Sequence, residues 1–483
     1  MIPLLNTDLL IDHTAAPDAD SRPLFILTIK DCAPDKGTVP DSETVEQQGA
    51  DKWPDAVPES VRALAKLNGF TGKIGSVLSH KDGVLVGAGN GSDDFAIAAA
   101  ASLPTGYYRL AYPALSGASL ERTLLGWLLG GYKFDRYKTA PSPSAVLIAP
   151  RGADIDRIRR LAKNTSFVRD LINTPAGDML PTDLEDTARK IAEESKATMT
   201  VTRGEALLTD NFPMVHAVGR ASANAPRLID LQWTHDNAPD TAPRVTIVGK
   251  GVCFDSGGLN IKGAGGMSLM KKDMGGAAHA LGLGQLIMGS KLPVRLRVLI
   301  PAVENAISGS AFRPGDVLQT RKGLTVEIGN TDAEGRLILG DAMTYACEQK
   351  PDLLITLATL TGAARVALGP EVIPFYTDDV TLAHAMKEAS ADTQDPAWHM
   401  PMWPNYEKML ASPVADLNNI SGNSFAGSIL AALFLRRFIP AGQRWLHFDL
   451  YGWRPGSEPG RPQGGEAQCL RALFTLIERQ VAR

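Results

Sequence analysis

The chain reads as an α/β protein, with a smaller N-terminal α/β domain and a larger C-terminal α/β domain whose central, largely parallel sheet is flanked by helices. Three observations predict this. From Arg244 onward, short β-branched runs alternate with stretches of helical spacing, the pattern of a parallel sheet covered on both faces. The N-terminal part carries its own alternation of apolar runs and helix-like stretches. At 483 residues the chain also exceeds one ordinary core, which calls for two domains or at most three.

Taken in order, residues 1–150 form the predicted N-terminal domain. It offers strand-like runs at Leu24–Ile29, Val84–Val86 and Ala145–Ile148 and helical stretches at Val61–Leu67 and Leu120–Leu129. Residues 34–60, rich in Pro, Asp and Glu, read as a solvated connection. Residues 151–190 are a predicted helical bridge, broken at Asn173–Pro181. Residues 191–483 form the second domain, with strands at Val245–Val248, Val294–Ile300, Leu324–Ile328, Leu353–Thr356 and Trp445–Leu450. Asn237–Pro243 is a short loop within it, and no internal repeat appears.

Hydrophobic content of 44% and charged content of 21% are those of a soluble globular chain. A net charge of −4 gives no electrostatic reason to expect nucleic acid or an anionic membrane. Met1 to Asp20 carries Asp8, Asp12, Asp18 and Asp20 and no Lys or Arg, the wrong chemistry for a secretory signal or a transit peptide. No apolar run approaches the ~18 residues of a membrane helix. Cys32, Cys253, Cys347 and Cys469 form no CxxC pair and read as reduced thiols of a cytoplasmic protein.

Residues 330–337 read Asn-Thr-Asp-Ala-Glu-Gly-Arg-Leu. An apolar run precedes this octapeptide and a helical pattern follows it, so Asp332, Glu334 and Arg336 sit where an open α/β sheet presents its ligands. Alone, it could equally be a solvated loop. A second cluster breaks the tie: Gly-Lys-Gly-Val-Cys-Phe-Asp-Ser-Gly-Gly-Leu-Asn-Ile-Lys at 249–262 and Met-Lys-Lys-Asp-Met-Gly-Gly-Ala-Ala at 270–278. These add Lys250, Asp255, Lys262 and Asp273, each at the end of an element. Three aspartates and a glutamate cannot stay ionised side by side without compensation, and two divalent cations supply it.

Other candidates are weaker. Gly87 to Ser92 brushes a dinucleotide fingerprint, but its third glycine falls one position early. No phosphate loop, HExxH pair or GxSxG elbow appears. His279, on the helix opened by Asp273, reads as structural, and Cys253 as a poor ligand among so many oxygen donors. An oxygen-rich site accepts Mn, Mg or Co as readily as Zn.

These segments resemble the leucyl (cytosol) aminopeptidase family of two-metal exopeptidases. The resemblance continues through Ala302–Asn305, Arg313–Asp316, Leu357–Ala363, Ala415–Asn419 and His447–Asp449, with Asn173–Ala176 upstream. It covers roughly residues 165–455, and the N-terminal third only weakly at Gly126–Lys138. It implies a hydrolase that releases N-terminal residues from peptides by attack of a metal-bridging hydroxide on the first peptide bond. It also implies a cytoplasmic homohexamer, a metalloprotease whose two divalent ions per subunit are Mn or Zn ahead of Mg or Co. No membrane or nucleic-acid partner is expected.

Roles follow in part from chemistry. Asp255 and Glu334, on different loops, suit the bridging positions; Asp332 holds one ion and Asp273 the other. Lys262 suits the tetrahedral oxyanion. The resemblance adds Lys250 as a ligand through its neutral amine, although the residue alone reads as a salt-bridge partner of the acids. It assigns Arg336 to a bicarbonate general base, where the bare sequence allows pairing with Glu334 or Asp332. It maps the side-chain pocket to Met270, Thr359 and Gly362, with Tyr451 in place of the family's usual small residue. A phenol there would disfavour branched first residues and favour small or polar ones. The rival readings are a two-metal phosphoesterase, which would normally add histidine ligands, and a non-catalytic DNA-binding regulator, which needs a basic face.

Overall fold

The computed structural model describes residues 5–15, 21–32, 53–139 and 143–481. Two compact units emerge: Met1–Ser166 with Gly456–Gln463, and Phe167–Pro455 with Gly464–Arg483. The division falls inside the helix Ile155–Asn173.

The first unit is built on a six-stranded sheet in the order Leu10–Asp12, Ala145–Ala149, Gly106–Tyr112, Arg22–Leu27, Gly83–Gly87, Val77–His80. Only the last pair is antiparallel. The helices Glu59–Leu67 and Gly117–Gly130 lie at the predicted places. The connection expected over 34–60 falls largely outside the described residues. Its described end is exposed at Asp55, Ala56, Glu59 and Ser60 but anchored by Trp53 and Val57, which are buried with Phe25 and Val61. Two large apolar side chains outweigh the polar composition around them.

The second unit holds a nine-stranded sheet. Its middle runs Trp445–Asp449, Leu353–Ala358, Arg244–Gly249, Arg295–Asn305, all parallel, with Gly251–Asp255 also parallel beside Arg295–Asn305. The helices Gly275–Gly289 and Gly335–Glu348 pack on these strands. Gly275–Gly289 is Ala, Gly and Leu almost throughout and is buried on nearly every side, as a helix between a sheet and other helices must be. The sheet continues on one side through Arg227–Thr234 and Thr198–Arg203, both antiparallel, and on the other through Ile373–Tyr376 and Ala397–His399.

One expected strand goes elsewhere. The sequence places Leu324–Ile328 in the central sheet, but Thr325–Glu327 lies in a separate three-stranded sheet between Val317–Gln319 and Leu417–Asn418. A local hairpin turning at Gly323 (φ +85°) captures the run, which an apolar stretch of this length does not reveal.

The helix Pro181–Ser195 carries Glu185, whose buried carboxylate accepts from Arg203 Nε at 2.8 Å, Arg189 Nη2 at 2.7 Å and Arg227 Nη1 at 2.8 Å. The Arg203 hydrogen bonds do most to lower its pKa, against the cost of burial, from 4.5 to about 2. A depressed acid stabilises the fold above its unfolded pKa, and that increment disappears as pH falls through the folded value. Denaturation curves should therefore lose stability between pH 4.5 and 2. Glu185→Gln should cost about 3 kcal/mol at neutral pH and lack that acid-side decline. An unchanged acid profile in the variant would remove Glu185 as the cause.

Candidate active site

The site forms at the carboxyl ends of parallel strands, where an α/β sheet opens a crevice. Arg244–Gly249 leads into Lys250, Gly251–Asp255 ends on Asp255, Leu353–Ala358 leads into Thr359, and Trp445–Asp449 runs on to Tyr451. Asp273 arrives on the 3-10 turn Met270–Met274 that precedes Gly275–Gly289. Asp332 and Glu334 lie in the loop before Gly335–Glu348, and Arg336 in its first turn.

Lys250 is the centre of the cluster. Its Nζ is 2.7 Å from Asp273 Oδ2 and 2.9 Å from Glu334 Oε1, and it donates to the Thr359 carbonyl at 3.1 Å. A Cβ on Gly335 would stand 2.7 Å from that Nζ, so the glycine is what lets the lysine pass. Lys262 ties the other acids together: its Nζ is 2.8 Å from Asp255 Oδ2 and also pairs with Asp332 Oδ1. Asp255 Oδ1 accepts from Gly257 N at 2.9 Å and Asn305 Nδ2 at 2.8 Å. Asp273 Oδ1 accepts from the Thr359 hydroxyl at 2.9 Å.

One carboxylate oxygen from each of Asp255, Asp273 and Glu334 falls within a 4.8 Å group. Asp332 stands outside that group, joined to it through Lys262. Glu334 Oε2 is buried with no hydrogen-bond partner among the described residues. Burial, then neighbouring carboxylates, pushes Glu334, Asp273 and Asp332 above the usual carboxyl range. Burial opposes the charge of Lys250 and Lys262 as well, but the surrounding acids outweigh it and hold both ammonium groups up. Crowded carboxylates with an unused buried oxygen are a donor set that fits divalent cations.

These groups border a cleft of about 740 Å³. Lys250, Asp255, Lys262, Asp273, Asp332 and Arg336 line it, as do Met270, Thr359, Gly362 and Tyr451. Glu334 reaches it through Lys250. Every site residue singled out in the sequence therefore meets in one place. Arg336 forms no ion pair with Glu334 or Asp332 among the described residues; its Nη1 donates to the Asn419 carbonyl at 2.6 Å. Burial lowers its pKa to about 10.

His279 commits both ring nitrogens, Nδ1 to the Gly275 carbonyl at 2.6 Å and Nε2 to Gln468 N at 2.8 Å. The Cys253 thiol is buried and turned to the Gly251 carbonyl at 3.8 Å. Among the described residues, no membrane-length apolar helix occurs.

Sequence reasoning missed four contributors. Asn305 steadies Asp255, and Asn419 accepts from Arg336 while its side chain bonds Gly329 N and the Asn330 carbonyl. Both lie in quoted motifs, and a polar residue closing an apolar strand was the available signal for Asn305. Lys272 and Arg365 line the cleft beside Tyr451. Nothing in their spacing indicates where they point.

Comparison with known proteins completes the picture. A family model described as "Cytosol aminopeptidase family, catalytic domain" matches residues 166–474, and one described as "M17 aminopeptidase, N-terminal domain" matches residues 40–150. A protein of Syntrophotalea carbinolica named probable cytosol aminopeptidase is 40% identical over 371 residues, covering 74% of each chain. The crystal structure of cytosol aminopeptidase from Coxiella burnetii superposes with a TM-score of 0.87 at 41% identity, over 98% of this chain and 100% of that one. The bottromycin maturation enzyme BotP in complex with Mn gives a TM-score of 0.80 at 32% identity, over 87% of this chain and 96% of its own.

Proposed function

Since the chain belongs to the cytosol aminopeptidase family and is thus a hydrolase, we propose that it is a two-metal exopeptidase that removes the first residue from peptides with a free N-terminus. The observation that carries this reading is the buried group of Asp255, Asp273 and Glu334 around Lys250, with an oxygen of Glu334 left over. Asp255, Asp273, Asp332 and Glu334, with the Lys250 amine, would hold two divalent ions. Mn or Zn leads, and the Mn complex of BotP supports that choice. When bound, such ions polarise the scissile carbonyl and lower the pKa of the attacking water.

The chain's own groups do the rest. Lys262 sets a positive charge where the tetrahedral oxyanion develops. Arg336, held by the Asn419 carbonyl and facing the cleft, is the residue that would bind bicarbonate, a general base when present. Met270, Thr359, Gly362 and Tyr451 shape the space for the first side chain. By family likeness the enzyme assembles as a homohexamer and works in the cytoplasm.

The test is an assay of metal-reconstituted protein on aminoacyl-anilides beside matched N-acetylated peptides. Free amines should be cleaved and acetylated ones not. Chelation should abolish the activity, and Mn or Zn should restore it. Equal cleavage of acetylated substrates would end the exopeptidase reading. Removing the phenol by Tyr451→Ala should raise kcat/KM for leucyl over alanyl substrates by roughly tenfold or more, the scale of a relieved pocket misfit. An unchanged leucyl-to-alanyl ratio would place Tyr451 outside the pocket.

A further inference from the structure

The cleft also carries charge that the proposed chemistry does not use. Lys272 is 7% exposed, with its Nζ 5.1 Å from the centre of the Tyr451 ring. The Arg365 guanidinium carbon is also 5.1 Å from that centre, and its Nη1 meets the Tyr451 hydroxyl at 3.4 Å. Neither cation has a carboxylate partner within ion-pairing distance among the described residues. Asp449, an acid the proposed chemistry does not use, is already satisfied by Leu360 N, Thr361 N, the Thr361 hydroxyl and the Ser428 hydroxyl. Both cations line the same cleft as Met270 and Gly362.

A buried ammonium without a counter-ion is costly. Arg365 presents a planar fork of donors that matches a carboxylate. Tyr451 takes part by lending its ring face to both cations. The cleft is thus two-signed: acids gather around Lys250 and Lys262, and two unpaired cations flank Tyr451. A first residue bearing a free amine and an acidic side chain matches both signs at once.

We propose that Lys272 and Arg365, flanking Tyr451, make this enzyme selective for peptides whose first residue is glutamate or aspartate. The proposal rests on the exopeptidase reading above and names its substrate class. A charge-assisted hydrogen bond in a partly dry pocket changes selectivity by roughly ten- to a hundredfold.

The experiment measures kcat/KM of the metal-reconstituted enzyme on glutamyl, glutaminyl, aspartyl, asparaginyl, leucyl and alanyl anilides, which carry no C-terminal carboxylate. Glutamyl should exceed glutaminyl, and aspartyl asparaginyl, by at least about tenfold, with the advantage shrinking as salt is added. Lys272→Met and Arg365→Met should each pull the glutamyl-to-glutaminyl ratio toward one. Because the wild-type ratio is itself decisive, misfolding of a variant leaves the test intact. A wild-type ratio at or below one, with leucyl and alanyl anilides turned over, overturns the selectivity and spares the exopeptidase reading. So does a preference for dipeptide acids over dipeptide amides whatever the first residue, which would assign the cations to a C-terminal carboxylate. Failure to cleave any member of the panel overturns both.

Discussion

Glu334→Gln is expected to reduce peptide hydrolysis to background, beyond the ~10²–10³-fold that a single lost oxyanion donor costs. Glu334 is the most enclosed acid of the cluster: it is 1% exposed, with Oε1 on Lys250 and Oε2 without a partner among the described residues. An amide keeps the shape but supplies no charge to a dication and turns an NH₂ toward the place an ion would take. Metal content per subunit should fall below the expected two, and added Mn should raise the Tm of the variant less than that of the wild type. Circular dichroism should not change, because glutamine fills the same volume. Asp332→Asn should behave alike, with a smaller loss of metal since Asp332 lies outside the tight group. Full activity with unchanged metal stoichiometry in Glu334→Gln would remove this carboxylate from the metal shell.

The site was far more legible than the sheet that presents it. Asp255, Asp273, Asp332 and Glu334 could be singled out because carboxylates at the ends of glycine-rich loops have few other uses, and the two lysines because they interrupt the same loops. The helices Gly275–Gly289 and Gly335–Glu348 announced themselves through small or apolar residues at helical spacing. The antiparallel strands Thr198–Arg203 and Arg227–Thr234 did not, because charged and polar residues punctuate both. Thr325–Glu327 looked like a central strand because its pairing with Val317–Gln319 is decided by a hairpin rather than by its own composition.

Side-chain direction was the least legible property of all. Lys271 and Lys272 are adjacent and alike, yet Lys271 donates to the Asn173 carbonyl at 2.6 Å while Lys272 enters the cleft beside Tyr451. They sit on a 3-10 turn, where a rotation of about 120° per residue sends neighbours different ways. Tyr451 was legible only through its position two residues beyond Asp449, which gives the two side chains a common side where the chain stays extended; the strand ends at Asp449, and Tyr451 lines the cleft.

Lys262→Ala tests the other half of the chemistry, with an expected fall in kcat of about 10²–10³ while metal is retained. The ammonium sits 2.8 Å from Asp255 Oδ2 and pairs with Asp332 Oδ1, so in this structure it compensates acids rather than substrate. Bound divalent ions would provide the same compensation with more charge, and Lys262 would then be free to face the oxygen that becomes negative as the carbonyl is attacked. That oxyanion exists only on the way to the transition state, so losing its partner lowers kcat with little change in KM. Lys262→Arg restores the charge but offers a planar fork in place of a compact ammonium, and should recover only part of the rate. The competing role is purely structural: a counter-charge that keeps Asp255 and Asp332 from repelling each other. In that case Lys262→Ala would lose metal along with activity, and excess Mn would bring the rate back. Rescue by metal would therefore move Lys262 from the oxyanion to the support of the acids, whereas a fully loaded, slow enzyme would leave it facing the substrate.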